Sequence, residues 1–232
     1  MPAPVDAKKS FLPGLFEDHI KDLGFPCVGA KAAVAREQMQ ILVARDITSA
    51  WDDLRIHGAL CDFVRAYRAA PRLYQSFVVI FEGPAVLTEA EFEHHLWARL
   101  QSLADKDAWR GYDYDREVSA DPASPHFSLS FGEEGFFAVG LHPLASRPAR
   151  RFRAPAVVFN LHAQFDELRA GGLYEKLRAS ILERDLALSG SSNPMVARHG
   201  EVSEARQYSG RRVEDDWRCP LRADAAALGD AA

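Results

Sequence analysis

Between His142 and Arg153 the chain reads His-Pro-Leu-Ala-Ser-Arg-Pro-Ala-Arg-Arg-Phe-Arg, which sets four arginines (Arg147, Arg150, Arg151 and Arg153) within seven residues. Planar guanidinium forks at that spacing suit bidentate binding of carboxylates, including porphyrin propionates. The His142 imidazole is able to ligate a metal or a haem iron, and Pro143 stiffens the backbone behind it. The plainer alternative is a solvated basic loop with a hydrogen-bonded histidine. A second group, Phe159-Asn160-Leu161-His162-Ala163-Gln164-Phe165, puts Asn160 and His162 where a strand meets a helix. That is a common place for site residues and equally one for a helix cap. A third stretch, from Gly190 to Cys219, carries Asn193, His199, Glu204, Arg206, Tyr208 and Trp217. Its polar density beside aromatic residues suits a pocket wall or cover. Cys219 is able to give iron a thiolate, which favours oxygen activation, or to be an inert buried thiol. Phe25-Pro26-Cys27 admits the same two readings. His94 and His95 are adjacent, so on a helix their rings diverge by about 100° and do not easily share one metal.

The elements that must position these groups follow from the apolar pattern. Met39–Ala44 and Ser76–Phe81 are short β-branched or apolar runs and predict strands. Thr48–Ala70 predicts a helix capped by Thr48, and Thr88 with Glu91 three residues on has capping-box spacing for another. A loop is expected from Asp105 to Pro125. Phe127–Phe131 and Gly135–Leu141 flank Gly132-Glu133-Glu134 and predict a hairpin. Ala156–Leu161 predicts a further strand, followed by helices near Phe165–Ala170 and Tyr174–Leu188. The expected class is α+β: a mixed or antiparallel central sheet with packed helices and a long irregular C-terminal segment. One domain is expected over residues 1–222, with a disordered tail over 223–232.

Composition narrows the function. The net charge of −5, from 28 basic and 33 acidic residues, gives no general reason to expect nucleic acid or an anionic membrane as partner. Three cysteines without a C-x-x-C pair fit a reducing, cytoplasmic setting better than a disulfide framework. There is no Gly-rich phosphate loop, no G-x-S-x-G elbow and no H-E-x-x-H.

Taken in order, FPC at Phe25–Cys27, HPLASRPARRF at His142–Phe152, FNLHAQFDELRAGG at Phe159–Gly172, RD at Arg184-Asp185, GSSNPM at Gly190–Met195, HGEVSEARQYSGR at His199–Arg211 and WRCPL at Trp217–Leu221 resemble the YqcI/YcgG family. The resemblance covers most of the chain and is densest after His142. Leu221 stands where an aromatic residue is expected, a mild departure. Some members of that family are haem-dependent N-hydroxylases of guanidines or amines. The resemblance therefore implies a haem b protein that activates oxygen or peroxide and hydroxylates a nitrogen of a small guanidino or amino substrate. An electron donor is expected if oxygen is the oxidant, and a homodimer is an open option. Side-chain chemistry placed on these motifs ranks His142 first as iron ligand, then Cys219, His162 and His199. Arg147, Arg150 and Arg151 are the expected partners of the propionates. Glu204 and Asp166 are the carboxylates for a cationic substrate, and Arg206 and Tyr208 the groups to hydrogen-bond to oxygen or substrate.

Overall fold

The computed structural model describes residues 10–197 and 200–222, so the expectations for His199 and for a tail over 223–232 lie outside the described residues. Strands β1 (Met39–Asp46), β2 (Ser76–Gly83), β3 (Leu129–Phe131), β4 (Glu134–Leu141) and β5 (Ala156–Leu161) form one sheet in the order β1-β2-β5-β4-β3. β1 and β2 are parallel and the other pairs antiparallel. Helix α3 (Asp53–Ala69) makes the crossover that a parallel pair requires. The mixed sheet with packed helices is the α+β class that the pattern predicts.

Pleat alternation divides the apolar residues between two cores. Phe77, Val79 and Phe81 of β2, Val157 and Phe159 of β5, and Phe136 and Ala138 of β4 pack with α3 and α4 (Glu89–Trp109). Val78, Ile80, Leu141 and Ala156 point the other way, onto Phe16 of α1 (Leu12–Lys21) and Val34 of α2 (Val28–Ala35). On that second side lie also α5 (His162–Ala170) and α6 (Tyr174–Ser189). Among the described residues after Gly190 the one helix is the short α7 (Ala205–Tyr208), which packs on β4. Among the described residues no helix is long and apolar enough to cross a membrane.

Several boundaries differ from the pattern for identifiable reasons. Thr48 spends its hydroxyl on Asp46 (2.7 Å), and it is Ser49 that accepts from Trp51 N, so a 3-10 turn (Ala50–Asp52) precedes α3. The capping box at Thr88 is formed: Glu91 N donates to Thr88 Oγ1 at 3.3 Å and Thr88 N donates to Glu91 Oε2 at 2.8 Å. That helix runs on to Trp109, taking in the first five residues of the expected loop. The polar residue that disguises this extension, Asp107, is buried: it takes His57 Nε2 at 2.6 Å and the Gly132 amide at 3.0 and 3.1 Å. Gly132 (φ 58°) and Glu133 (φ 66°) are both left-handed, the pair of conformations that closes a two-residue hairpin.

Burial alone would push the His57 imidazole down, but the bond to Asp107, with Cys61 alongside, carries its pKa up to about 9. Asp107→Asn keeps an acceptor for Gly132 and removes the charge that faces the imidazolium. It is expected to lower stability by about 1.5–3 kcal/mol, the worth of a charge-assisted hydrogen bond. A urea titration reads this as a lower midpoint at unchanged slope.

Candidate functional site

On the α1/α2/α5/α6 side of the sheet is a cavity of about 370 Å³, partly open to solvent. Its floor is made by alternate residues of two strands, Phe137, Val139 and Leu141 of β4 and Val158 and Asn160 of β5. One wall is the Phe25-Pro26-Cys27 turn that starts α2. The roof is α6. Tyr174, Leu177, Arg178, Ile181, Leu182 and Asp185 recur at three- and four-residue steps, so one helical face meets the cavity. The basic loop brings Arg147 and Arg150, and the region of α7 brings Glu204 and Gln207.

Among the described residues Cys27 is the single cysteine or histidine that lines the cavity. It is the N-cap of α2, with Sγ accepting from Ala30 N at 3.4 Å. Burial pushes its thiol up, against the lowering pull of the Ala30 and Gly29 amides and of the Arg150 charge. Among the described residues no carboxylate meets the Arg150 donors. Its Nη1 reaches Gly140 O (2.9 Å) and Tyr208 O (3.1 Å), and Nη2 reaches Gln207 O (3.0 Å). Burial brings its pKa down to about 10, with Asp185 and Cys27 opposing. Arg147 pairs with Asp185 and donates to Ser191 O at 3.0 Å. The Nε atoms of Arg147 and Arg178 are buried with no hydrogen-bond partner among the described residues. Asn160 Oδ1 accepts from Ser76 Oγ at 2.9 Å, and Gln164 Nε2 donates to Gln75 O at 2.8 Å. Glu204 Oε2 accepts from Ser128 Oγ at 3.0 Å. The site is thus an apolar chamber with a thiol, cationic forks and a few amides and carboxylates on its walls. An amphipathic ligand with anionic groups matches that lining.

The structure gathers some of the expected residues here and leaves others elsewhere. Arg147, Arg150 and Glu204 line the cavity. His142 does not: it follows Leu141 by one residue, so the pleat turns it to the α4 side. There it is 1% exposed, stacked on Phe92 at 4.4 Å, with Nδ1 unpartnered among the described residues and its pKa pushed down by burial. Tyr208 is wholly buried in the α3/α4 core, stacked on Trp97, and its hydroxyl donates to Phe136 O at 3.3 Å. Arg206 faces the chain beyond α7, donating to Glu214 O at 2.7 Å and lying over Trp217. Arg151 ties its own loop, to Ala145 O (2.6 Å) and Ser146 O (2.8 Å). His162 is buried near Gly135, with Nδ1 3.0 Å from Asp166, and Asp166 also binds Arg169. Cys219 packs against the α3/α4 core. Residues not singled out by their chemistry, Asp185 and Arg178 of α6 and Gln207, join the cavity. The Arg184-Asp185 motif carried a signal for the first of them.

Burial pushes the Cys219 thiol up to about 12. At pH 8 its thiolate fraction is then on the order of 10³-fold below that of a free cysteine. Peptide mapping after N-ethylmaleimide treatment is expected to find Cys219 almost unlabelled at pH 8, with the rate rising about tenfold per pH unit above it.

A mixed five-stranded sheet roofed on one face by a helix over a thiol- and arginine-bearing chamber defines an α+β protein with a ligand-sized cavity. A model of the YqcI/YcgG family matches residues 16–222, and the chain belongs to that family. No curated protein and no solved structure matches it.

Proposed function

We propose that the cavity holds haem b and that the protein uses it to hydroxylate a nitrogen of a small guanidino or amino compound. The observation that carries this reading is the position of Cys27, a soft iron donor at a helix N-terminus inside a largely apolar chamber that also presents arginines. Bound there, haem would supply activation of dioxygen or peroxide. The chain's residues supply the rest. Cys27 would hold the iron, with the α2 amides and the Arg150 charge offsetting part of the burial that pushes its thiol up. Arg147 and Arg178, whose Nε atoms have no hydrogen-bond partner among the described residues, would meet carboxylates of the cofactor. Glu204 and Asp185 offer acceptors to a guanidinium, and Asn160 and Gln164 orient it by hydrogen bonds. The apolar floor from Phe137 to Val158 excludes water from the reacting nitrogen. His142 lies across the sheet from this chamber, stacked on Phe92, and cannot reach an iron held beside Cys27.

The test is an absorbance scan of protein from haem-replete cells, then turnover of arginine and related guanidines with reductant and oxygen or with peroxide. A Soret band with hydroxylated product supports the whole reading. A Soret band without turnover leaves a haem sensor, carrier or detoxifying protein. The unpaired arginine Nε atoms favour a second reading, a haem-free module for a small carboxylate or phosphate. It predicts no Soret band after hemin addition and a raised Tm with the anion.

A further inference from the structure

Among the described residues a cluster of three metal-ligating side chains lies away from the cavity, between α3 and α4. His57 and Cys61 stand four residues apart on α3, hence on one face of it, and Asp107 reaches them from α4. Their exposures are 0%, 3% and 5%. His57 Nε2 is 2.6 Å from Asp107 Oδ1 and 3.7 Å from Cys61 Sγ, and one ligand atom from each residue lies within 4.8 Å of the other two. From this geometry we infer that His57, Cys61 and Asp107 form a binding site for one divalent zinc ion, independent of the cavity.

Zinc takes such a nitrogen–sulfur–oxygen set, with bonds of about 2.0 Å to nitrogen or oxygen and about 2.3 Å to sulfur. At tetrahedral angles these bonds put sulfur and nitrogen roughly 3.5 Å apart and nitrogen and oxygen roughly 3.3 Å apart. The Cys61–His57 separation already fits. The Asp107 oxygen must withdraw by roughly 0.7 Å to make room. It is able to do so because Gly132 N contacts both carboxylate oxygens, at 3.0 and 3.1 Å, so Oδ2 keeps the amide while Oδ1 turns to the ion. Cys61 Sγ is nearly equidistant from the two ring nitrogens, 3.7 and 3.8 Å, so the imidazole also turns about its χ2 on binding. A neutral imidazole, a thiolate and a carboxylate balance the charge of Zn²⁺, which removes the penalty of burying it. Tyr112, partly exposed and with its ring centroid 6.3 Å from that of His57, would give the fourth position a phenol or a water. Cys61 adds a sulfur donor to the His57–Asp107 pair, one turn along the same face of α3.

The chain is expected to purify from zinc-supplemented cells with about one zinc per molecule after dialysis against a weak chelator. Unfolding with a strong chelator and refolding with Co²⁺ is expected to give a thiolate-to-cobalt charge-transfer band that is lost in Cys61→Ser and kept in Cys27→Ser. Should Cys61→Ser fail to fold, wild type carries the test: zinc is expected to slow alkylation of Cys61 at least tenfold against chelator in sub-denaturing urea. Less than a tenth of an equivalent of zinc with no cobalt band overturns the site. So do a band that follows Cys27 and alkylation rates that zinc does not change.

Discussion

Wild type is expected to give a Soret band with one equivalent of hemin and Cys27→Ser to give none, with haem binding weakened on the order of 10²-fold or more. Loss of groups that only support a metal ligand costs about 10–100-fold, and loss of the ligand itself costs at least as much. A serine is nearly isosteric and still caps a helix well, so α2 should survive and the fold with it. His142→Ala is expected to behave in the opposite way. It removes a ring stacked on Phe92 in a packed interior, so the Tm falls while the Soret position stays. The two variants together separate a ligand from a core histidine, because a ligand change moves the spectrum and a packing change moves stability. A Soret band retained in Cys27→Ser and lost or shifted in His142→Ala would instead place the iron on the α4 side of the sheet. Titration by hemin, followed by absorbance and by thermal melts of the apo-protein, reads both quantities on the same samples.

Much of the fold was legible because its signals are local. The β-branched run Ser76–Phe81, the Thr88/Glu91 cap and the glycine at the hairpin each act within a few residues. The N-terminal helices were not. α1 begins Leu-Pro-Gly, which reads as a turn, although proline in the first turn of a helix loses no hydrogen bond. α2 is short and rich in alanine and glycine, with no clear apolar stripe. The site was legible as stretches of chain and less so as residues. Which member of a motif faces the cavity is set by parity, and parity changes at every step along a strand. Leu141 and His142 are neighbours on opposite faces. On α7 the three-residue step divides the motif likewise: Glu204 and Gln207 face the cavity, whereas Ala205 and Tyr208 enter the core. Cys27 gave no positional signal of its own. It meets Arg150 only because two segments more than a hundred residues apart pack on the same face of the sheet.

Arg150→Met is the second large effect, and it separates the scaffold from the chemistry. The guanidinium ties three main-chain carbonyls, Gly140 on β4 and Gln207 and Tyr208 of α7, so one side chain fastens the basic loop and the C-terminal cover to the sheet. Gly210, left-handed at φ 83°, fits the same place: a Cβ there would come within 3.3 Å of Arg150 Nη1. Methionine keeps the stem and leaves three acceptors without a donor in a site where burial already depresses the charged form. Leaving a buried acceptor without its donor costs about 1–3 kcal/mol, above the loss from a solvent-facing arginine. The haem-free variant is therefore expected to unfold at a clearly lower urea midpoint, with a protease-sensitive segment after Gly190. Arg150→Lys keeps the charge without the fork, so it is expected to recover less than half of the loss. If Arg150 acted only on a bound anion, the haem-free Arg150→Met protein would match wild type within about 0.5 kcal/mol, and the loss would emerge only on hemin titration. The order of the two measurements thus decides whether this arginine builds the cavity or merely serves what enters it.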